Sequence, residues 1–285
     1  MKVLVTGAGG MLAQAVVPAL ERAGHTVVPF THTALDVTDL ADMRRTVQFS
    51  KPDWVCHLAA YTNVDGCETE VERAFAVNGL GARNAAQAAH EAGAAILAIS
   101  TDYVFPGTES SPRREHDAIG PASVYGRSKW AGEQGVRETN PRHAIVRTAW
   151  LYGRGGRNFV DTIRTRALAG EPLAVVEDQH GAPTWTEDLA GALLGVMDAR
   201  AFGTLHATNG GECTWYEFAV EICRLTGAGI EVARQSSAAL ARPAPRPEWS
   251  VLHLGSLERV LGRPMPHWRD ALERYLAQPV PARAS

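Results

Sequence analysis

Met1-Lys2-Val3-Leu4-Val5-Thr6-Gly7-Ala8-Gly9-Gly10-Met11-Leu12-Ala13 opens the chain, and its reading decides the fold. Val3 to Val5 is a short, β-branched apolar run of the kind buried in a parallel sheet. Gly7, Gly10 and Ala13 then fit G-x-x-G-x-x-G/A, and a helical stretch runs from Gln14 to Ala23 and stops at Gly24. Small residues in such a loop let the backbone turn sharply and approach a pyrophosphate. The helix amino terminus behind it offers free N–H groups and a positive dipole end. A plain glycine turn has the same outline, but the strand before and the helix after supply the context a dinucleotide site requires.

From there outward, strands and helices alternate in the pattern of an α/β doubly wound parallel sheet. Thr26 to Phe30 reads as the second strand, Leu40 to Phe49 as a helix, and Trp54 to Ala59 as a strand. Glu72 to Ala92 is a long Ala-rich helix ending at Gly93. Ala95 to Ser100 is a strand, Ser123 to Glu138 a helix, and Ala144 to Thr148 closes the regular section. This predicts a Rossmann domain over residues 1–150, with a helix from Glu187 to Ala199 (the segment 187–204) packing back on it. Beyond Leu151 the pattern becomes irregular, and residues 151–278 are expected to form mainly a smaller C-terminal lobe, with 279–285 a disordered tail.

Composition bounds the function. The 285 residues are 45% hydrophobic, ample for one large α/β core and a second lobe, and the net charge of −3 carries no nucleic-acid footprint. No apolar run approaches the ~20 residues of a membrane span, and no charged, apolar leader precedes the first strand. Cys56, Cys67, Cys213 and Cys223 lack Cys-x-x-Cys spacing and read as reduced thilols of a cytoplasmic protein. The ten His residues form no metal-binding cluster, and His57 reads as a packing residue within an apolar strand.

Chemistry enters at Tyr125-Gly126-Arg127-Ser128-Lys129. Residues i and i+4 share one helix face, so the Lys129 ammonium is expected beside the Tyr125 phenol. A free phenol titrates near pH ~10, too high for efficient proton transfer at neutral pH. An ammonium at ~4 Å, with an effective dielectric of ~20, favours phenolate by roughly 4 kcal/mol before desolvation opposes it. Such a pair delivers a proton to a carbonyl oxygen or removes one from an alcohol. An aromatic and a lysine on an ordinary helix surface share the spacing.

With Ser100-Thr101-Asp102-Tyr103-Val104-Phe105, these motifs make the chain resemble the extended short-chain dehydrogenases/reductases. More narrowly it is similar to the dTDP-4-dehydrorhamnose reductase family. That likeness rests on Leu35-Asp36-Val37-Thr38-Asp39, Ala59-Ala60-Tyr61-Thr62-Asn63-Val64-Asp65, Arg147-Thr148-Ala149-Trp150-Leu151-Tyr152-Gly153 and Asp178-Gln179-His180-Gly181-Ala182-Pro183-Thr184. Arg246-Pro247 with Ser250 and Leu252 completes it, over residues 1 to about 275.

The resemblance implies hydride transfer from a nicotinamide to C4 of a dTDP-linked 4-keto-6-deoxy sugar. Tyr125 is then the general acid. Lys129 lowers the Tyr125 pKa and holds the nicotinamide ribose, and Thr101 bonds the sugar carbonyl. Asp102 meets sugar hydroxyls and Trp150 packs on the deoxysugar. Cofactor contacts carry over to Gly7, Gly10, Met11, Leu12, Asp36, Val37, Ala60, Tyr61 and Thr62, besides Tyr125 and Lys129. Asp36 reads equally as part of a helix-cap region, with Thr38 or Asp39 capping. Phe30-Thr31-His32-Thr33 offers neither an acid for a ribose 2′-hydroxyl nor an Arg for a 2′-phosphate, which suggests NADPH, with NADH also accepted. Arg242 or Arg246 is a candidate for the diphosphate.

Some members of the family dimerise through a metal bound by glutamates. Here Gln14 and Ala15 replace one of them and Glu187 stands alone, so no metal is expected, in a monomer or homodimer. An epimerase or reductase acting on another nucleotide-linked sugar, and a non-catalytic NADP-binding regulatory subunit, share the fold and stay open at this point.

Overall fold

The computed structural model describes residues 1–279, so the expected disordered tail lies, apart from Pro279, outside the described residues. Six strands form one sheet: β1 (Lys2–Thr6), β2 (Thr26–Phe30), β3 (Trp54–His57), β4 (Ala95–Thr101), β5 (His143–Thr148) and a last strand, Gly203–His206. Their spatial order is Gly203–His206, β5, β4, β3, β1, β2, and every pairing is parallel. The chain leaves β1 for β2 on one side, then returns past β1 to lay β3 on the other. The strand order therefore reverses at β1 and β3, and ligands bind such sheets in the crevice at that reversal, outside the carboxyl ends.

The apolar run of β1 is explained by cover on both faces. Val3 and Val5 pack with Val16 and Leu20 of the helix Ala13–Arg22 and with Leu189, Leu193 and Val196 of the helix Thr186–Asp198. Leu4, on the opposite face, packs with Met43 and Val47 of the helix Leu40–Ser50 and with Ile96 of β4. Each fully buried side chain of this size contributes about 1.5–3 kcal/mol relative to exposure. The helix Thr186–Asp198 thus returns to the sheet, and Gly203–His206 follows it as a sixth strand beside β5.

The Ala-rich run departs from a single helix. Its α-helical pieces, Val71–Ala74 and Gly81–Glu91, flank a π-helical turn at Phe75–Leu80. The wider turn shifts the register of the helix and buries the polar Asn78 towards the sheet.

After Leu151 the elements are short. Strand pairs Leu173–Val176 with Val232–Gln235 and Leu151–Tyr152 with Thr184–Trp185 are parallel, and His180–Gly181 with Cys213–Thr214 is antiparallel. A separate aromatic core holds them, with Trp268, Phe218 and Tyr152 fully buried. Trp268 belongs to the helix Trp268–Leu276, and Phe218 to Trp215–Thr226, which is closed by a capping box between Thr214 and Glu217. All four cysteines are free and buried. Among the described residues, no helix is long and apolar enough to cross a membrane, and no group of His, Cys, Asp and Glu is arranged to hold a metal.

Candidate active site

Two loops meet where the strand order reverses. Gly7, just after β1, has a φ of 69°, and a Cβ there would stand 2.7 Å from the backbone nitrogen of Ala59, just after β3. Only glycine allows both the left-handed turn and that approach. Beyond it Gly9 and Gly10 are exposed, and the helix Ala13–Arg22 begins without a side-chain cap or an acidic residue in its first turn. The Gln14 and Ala15 N–H groups already bond the Gly10 and Leu12 carbonyls, so an anion would meet the dipole and the N–H groups just ahead of them. These residues fit the pyrophosphate of a dinucleotide. Met11 and Leu12 stand in the loop, and Met11 packs under Gly156 of the second lobe.

Asp36 is exposed and accepts from the Thr38 backbone N–H (2.9 Å) and hydroxyl (2.7 Å), which hold its carboxyl below its ordinary value. The capping of Leu40–Ser50 falls to Asp39, which accepts from Ala41 and Asp42, so Asp36 is not the cap. Val37 is buried against Gly81, and its carbonyl accepts from Asn84 at 3.0 Å. Ala60, Tyr61 and Thr62 follow β3. The Tyr61 phenol donates to Glu70 at 2.5 Å, and Arg73 covers its ring 4.6 Å from the centroid.

The helix Val124–Thr139 carries Tyr125 and Lys129. Ser123 caps it by accepting from the Gly126 N–H at 3.1 Å, and Glu68 accepts from the Val124 N–H at 2.8 Å. A Cβ on Gly126 would lie 2.2 Å from the Tyr103 carbonyl oxygen, so the first helical turn rests directly on the turn that follows β4. That contact brings Tyr125 to Thr101 and Asp102. The Thr101 hydroxyl donates to Asp102 Oδ1 at 2.8 Å and accepts from the Tyr103 N–H at 3.3 Å. Tyr103 meets Tyr125 edge-on with centroids 5.6 Å apart. Asp102 is 2% exposed and its Oδ2 has no hydrogen-bond partner; burial raises its carboxyl to about 6, against the bond from Thr101.

One electrostatic expectation is corrected here. Burial, then the Asp102 carboxylate, push the Tyr125 phenol above its ordinary value, with the Thr101 hydroxyl opposing them; Lys129 is not among the groups acting on it. Lys129 is itself pushed down to about 8 by burial, against the charge of Glu133. Sharing a helix face does not fix where a four-carbon side chain ends, and the charge of the buried Glu133 one turn on favours the protonated amine. The phenol accordingly stays protonated at neutral pH, which is the form a general acid needs.

Both arginines expected near the diphosphate meet one carboxylate. Arg246 pairs with Asp65 through two bonds, Nη1 to Oδ1 at 2.9 Å and Nη2 to Oδ2 at 3.1 Å, and Arg242 adds a third at 3.1 Å. Both guanidinium groups thus fasten the second lobe to the segment after β3. The Arg246 hydrogen bond leads the influences that hold Asp65 down to about 2. Trp150 has a φ of 47°, rare for a bulky residue, and stacks on Trp215 at 3.6 Å, so one of its ring faces is covered. His57 is buried with Nδ1 2.9 Å from the Thr6 hydroxyl, as befits a packing residue.

Sequence reading missed Asn78. Its amide donates to the Tyr61 carbonyl and the Ser128 hydroxyl, both at 3.0 Å, and its oxygen accepts from the Tyr61 N–H at 2.8 Å. It ties the segment after β3 to the Tyr125/Lys129 helix. A polar Asn between Val77 and Gly79, within an Ala-rich helical run, was the available signal.

A loop at the strand-order reversal, facing a helix that bears Tyr and Lys one turn apart, is the arrangement of the extended short-chain dehydrogenases/reductases, a class of oxidoreductases. Within it, the chain belongs to the family described as RmlD substrate binding domain, whose model matches residues 1–280. It is 46% identical to a dTDP-4-dehydrorhamnose reductase of Streptomyces griseus, over 94% of this chain and 91% of that one. A crystal structure of a dTDP-4-dehydrorhamnose reductase from Clostridium acetobutylicum superposes with a TM-score of 0.93 at 41% identity, covering 97% of this chain and 98% of that one. A dTDP-4-dehydrorhamnose reductase from Bacillus anthracis, in complex with NADP, also gives a TM-score of 0.93, at 37% identity and coverage of 96% and 98%.

Proposed function

We propose that this chain reduces the C4 keto group of dTDP-4-dehydro-L-rhamnose to give dTDP-L-rhamnose, using NADPH and accepting NADH as well. The observation that carries the reading is the meeting of Tyr125, Thr101 and Asp102 at the carboxyl end of β4, beside the loops that fit a dinucleotide. NADPH bound there supplies the hydride. Gly7, Gly10, Met11, Leu12, Asp36, Val37, Ala60, Tyr61 and Thr62 bind and orient it, with the helix amino terminus on the pyrophosphate and Lys129 on the nicotinamide ribose. Tyr125, held protonated by burial, gives its proton to the oxygen at C4 as charge develops there. Thr101 bonds the same oxygen, and Asp102 accepts from the sugar hydroxyls. Trp150, stacked on Trp215 and close against Gly181, packs on the deoxysugar with the part of its ring that these two leave open.

The division into a cofactor domain (1–150, with 187–204) and a mainly substrate-binding lobe (151–278) is part of this reading, supported by the two separate cores. A reducing, cytoplasmic setting suits four free, buried thiols.

The test follows NADPH oxidation with dTDP-4-dehydro-6-deoxy-glucose, with and without a 3,5-epimerase, and identifies the product. Epimerase-dependent dTDP-L-rhamnose is expected. Reduction without the epimerase would point to another deoxysugar, and NADPH binding without turnover to an epimerase or a regulatory subunit. Tyr125→Phe should lower kcat by about 10²–10⁴ while NADPH still binds.

A further inference from the structure

Below the catalytic pair lies a buried charge cluster that the reaction as described does not use. Tyr125, Lys129 and Glu133 succeed one another at four-residue intervals on one helix face. The Glu133 carboxylate is 3% exposed and takes four bonds. Ser100 donates to Oε1 at 2.6 Å; Arg147 donates through Nε and Nη2, both at 2.8 Å; Arg137 donates to Oε2 at 2.6 Å. Burial alone would raise this carboxyl, but the bonds and charge of Arg147, with Ser100 and Arg137, hold it below its ordinary value. Ser100 immediately precedes Thr101 on β4, and Arg147 lies three residues before Trp150 on β5. Lys129 and Glu133 also line the same small cavity of about 10 Å³, room for one water, with Asn78 and Ser100.

We propose that Glu133 is a positioning residue for the reduction: it locks the Tyr125/Lys129 helix to β4, which ends at Thr101, and to β5, which ends two residues before Trp150, and presents a fixed negative charge to the Lys129 amine. The inference rests on the reductase reading. Other groups around Lys129 do not supply that charge. His57 on β3 is neutral, lowered to about 3 by burial and by Lys129. Cys67 on Val64–Thr69 is a neutral thiol, raised to about 11 chiefly by burial. Glu68 caps the helix at Val124, and Arg83 on Gly81–Glu91 lies along Gly135. Asp102 and Tyr103, after β4, act on Tyr125 and each other rather than on Lys129. Arg147 on β5 is bound to Glu133 itself. Glu133 is the charged side chain that lines one cavity with Lys129, and its charge opposes the effect of burial on the amine.

The sequence makes a direct test simple, because Lys2, Lys51 and Lys129 are its only lysines. Side-chain NMR of lysine-labelled protein, without cofactor, follows each amine through pH, with Lys129 assigned by its loss in Lys129→Met. In the wild type Lys129 should titrate near 8. In Glu133→Gln its proton affinity should fall at least tenfold, because an opposing anion is lost and Arg147 is left uncompensated. The alkaline fall of kcat should move to lower pH by the same factor, with activity recovering on acidification.

A purely structural role would change the unfolding midpoint but leave the lysine titration and the pH profile in place, and that result would overturn the proposal. Should Glu133→Gln fail to fold, Arg137→Gln decides. Removing this half-buried cation leaves the Glu133 charge less neutralised, so Lys129 should bind its proton about two- to threefold more tightly. No shift, or a shift the other way, would equally overturn it. Wild-type turnover is the control: its absence refutes the reductase reading, whereas wild-type turnover with an unmoved Lys129 refutes only the role of Glu133.

Discussion

Replacing Asp102 by Asn should make the protein more stable at neutral pH and less active. The wild-type carboxyl rises from an ordinary 3.8 to about 6, first because it is buried. A rise of about two pKa units, at ~1.4 kcal/mol each, amounts to about 3 kcal/mol by which burial of the charged form weakens the native state. The sign follows from proton counting. Between pH 3.8 and 6 the folded protein holds a proton that the unfolded chain has lost, so stability falls as pH rises through this window and the full deficit persists above it.

Asn carries no charge and can still accept the Thr101 hydroxyl bond, but its amide must find a partner where Oδ2 has none. An unpartnered buried donor costs about 1 kcal/mol or more. The net expectation is a gain of about 1–2 kcal/mol at pH 8, shrinking steadily as the pH is lowered below 6. Urea unfolding of both proteins across pH 4 to 8 measures it. If Asp102 meets sugar hydroxyls, the same change lowers kcat/KM by about 10–100-fold, the worth of a charged hydrogen bond. A stability difference independent of pH, or a loss at pH 8, would refute the reasoning. Either result would mean that the Asp102 carboxylate is satisfied in solution.

Gly7→Ala should destabilise the fold by about 2–4 kcal/mol, since it adds left-handed strain to a clash with the Ala59 backbone. It should also weaken NADPH binding more than tenfold in a fluorescence titration; wild-type affinity would show that this turn does not shape the site. Asp65→Ala and Arg246→Ala, combined in a double-mutant cycle by urea unfolding, should show a coupling of about 1–2 kcal/mol, as expected for a partly buried, two-pronged ion pair. Additivity within ~0.3 kcal/mol would mean that the two lobes are not fastened there.

The boundaries that local pattern controls were close. Thr26–Phe30 matches the sequence reading residue for residue, and Leu40–Ser50 extends it by one. The Gly-rich loop, the Tyr125/Lys129 spacing and the α/β alternation were all legible, because a turn, a 3.6-residue period and an apolar strand are written within a few neighbouring residues. The π turn at Phe75–Leu80 was not legible, since an Ala-rich run suits either helix and the choice is made by the partners of Asn78.

The electrostatics of the site were decided by the tertiary structure. The same chain pattern that places Tyr125 and Lys129 on one face does not say that Glu133 is buried against Arg147. Nor does it reveal that Asp65 meets an arginine 181 residues away. Hydrogen bonds and charges act through space over a few ångströms, and burial multiplies their effect by removing water. The sequence determined which groups are present and which elements carry them. Only the packing of those elements decided which carboxylate each arginine holds, which phenol keeps its proton, and where the lysine amine finds its opposite charge.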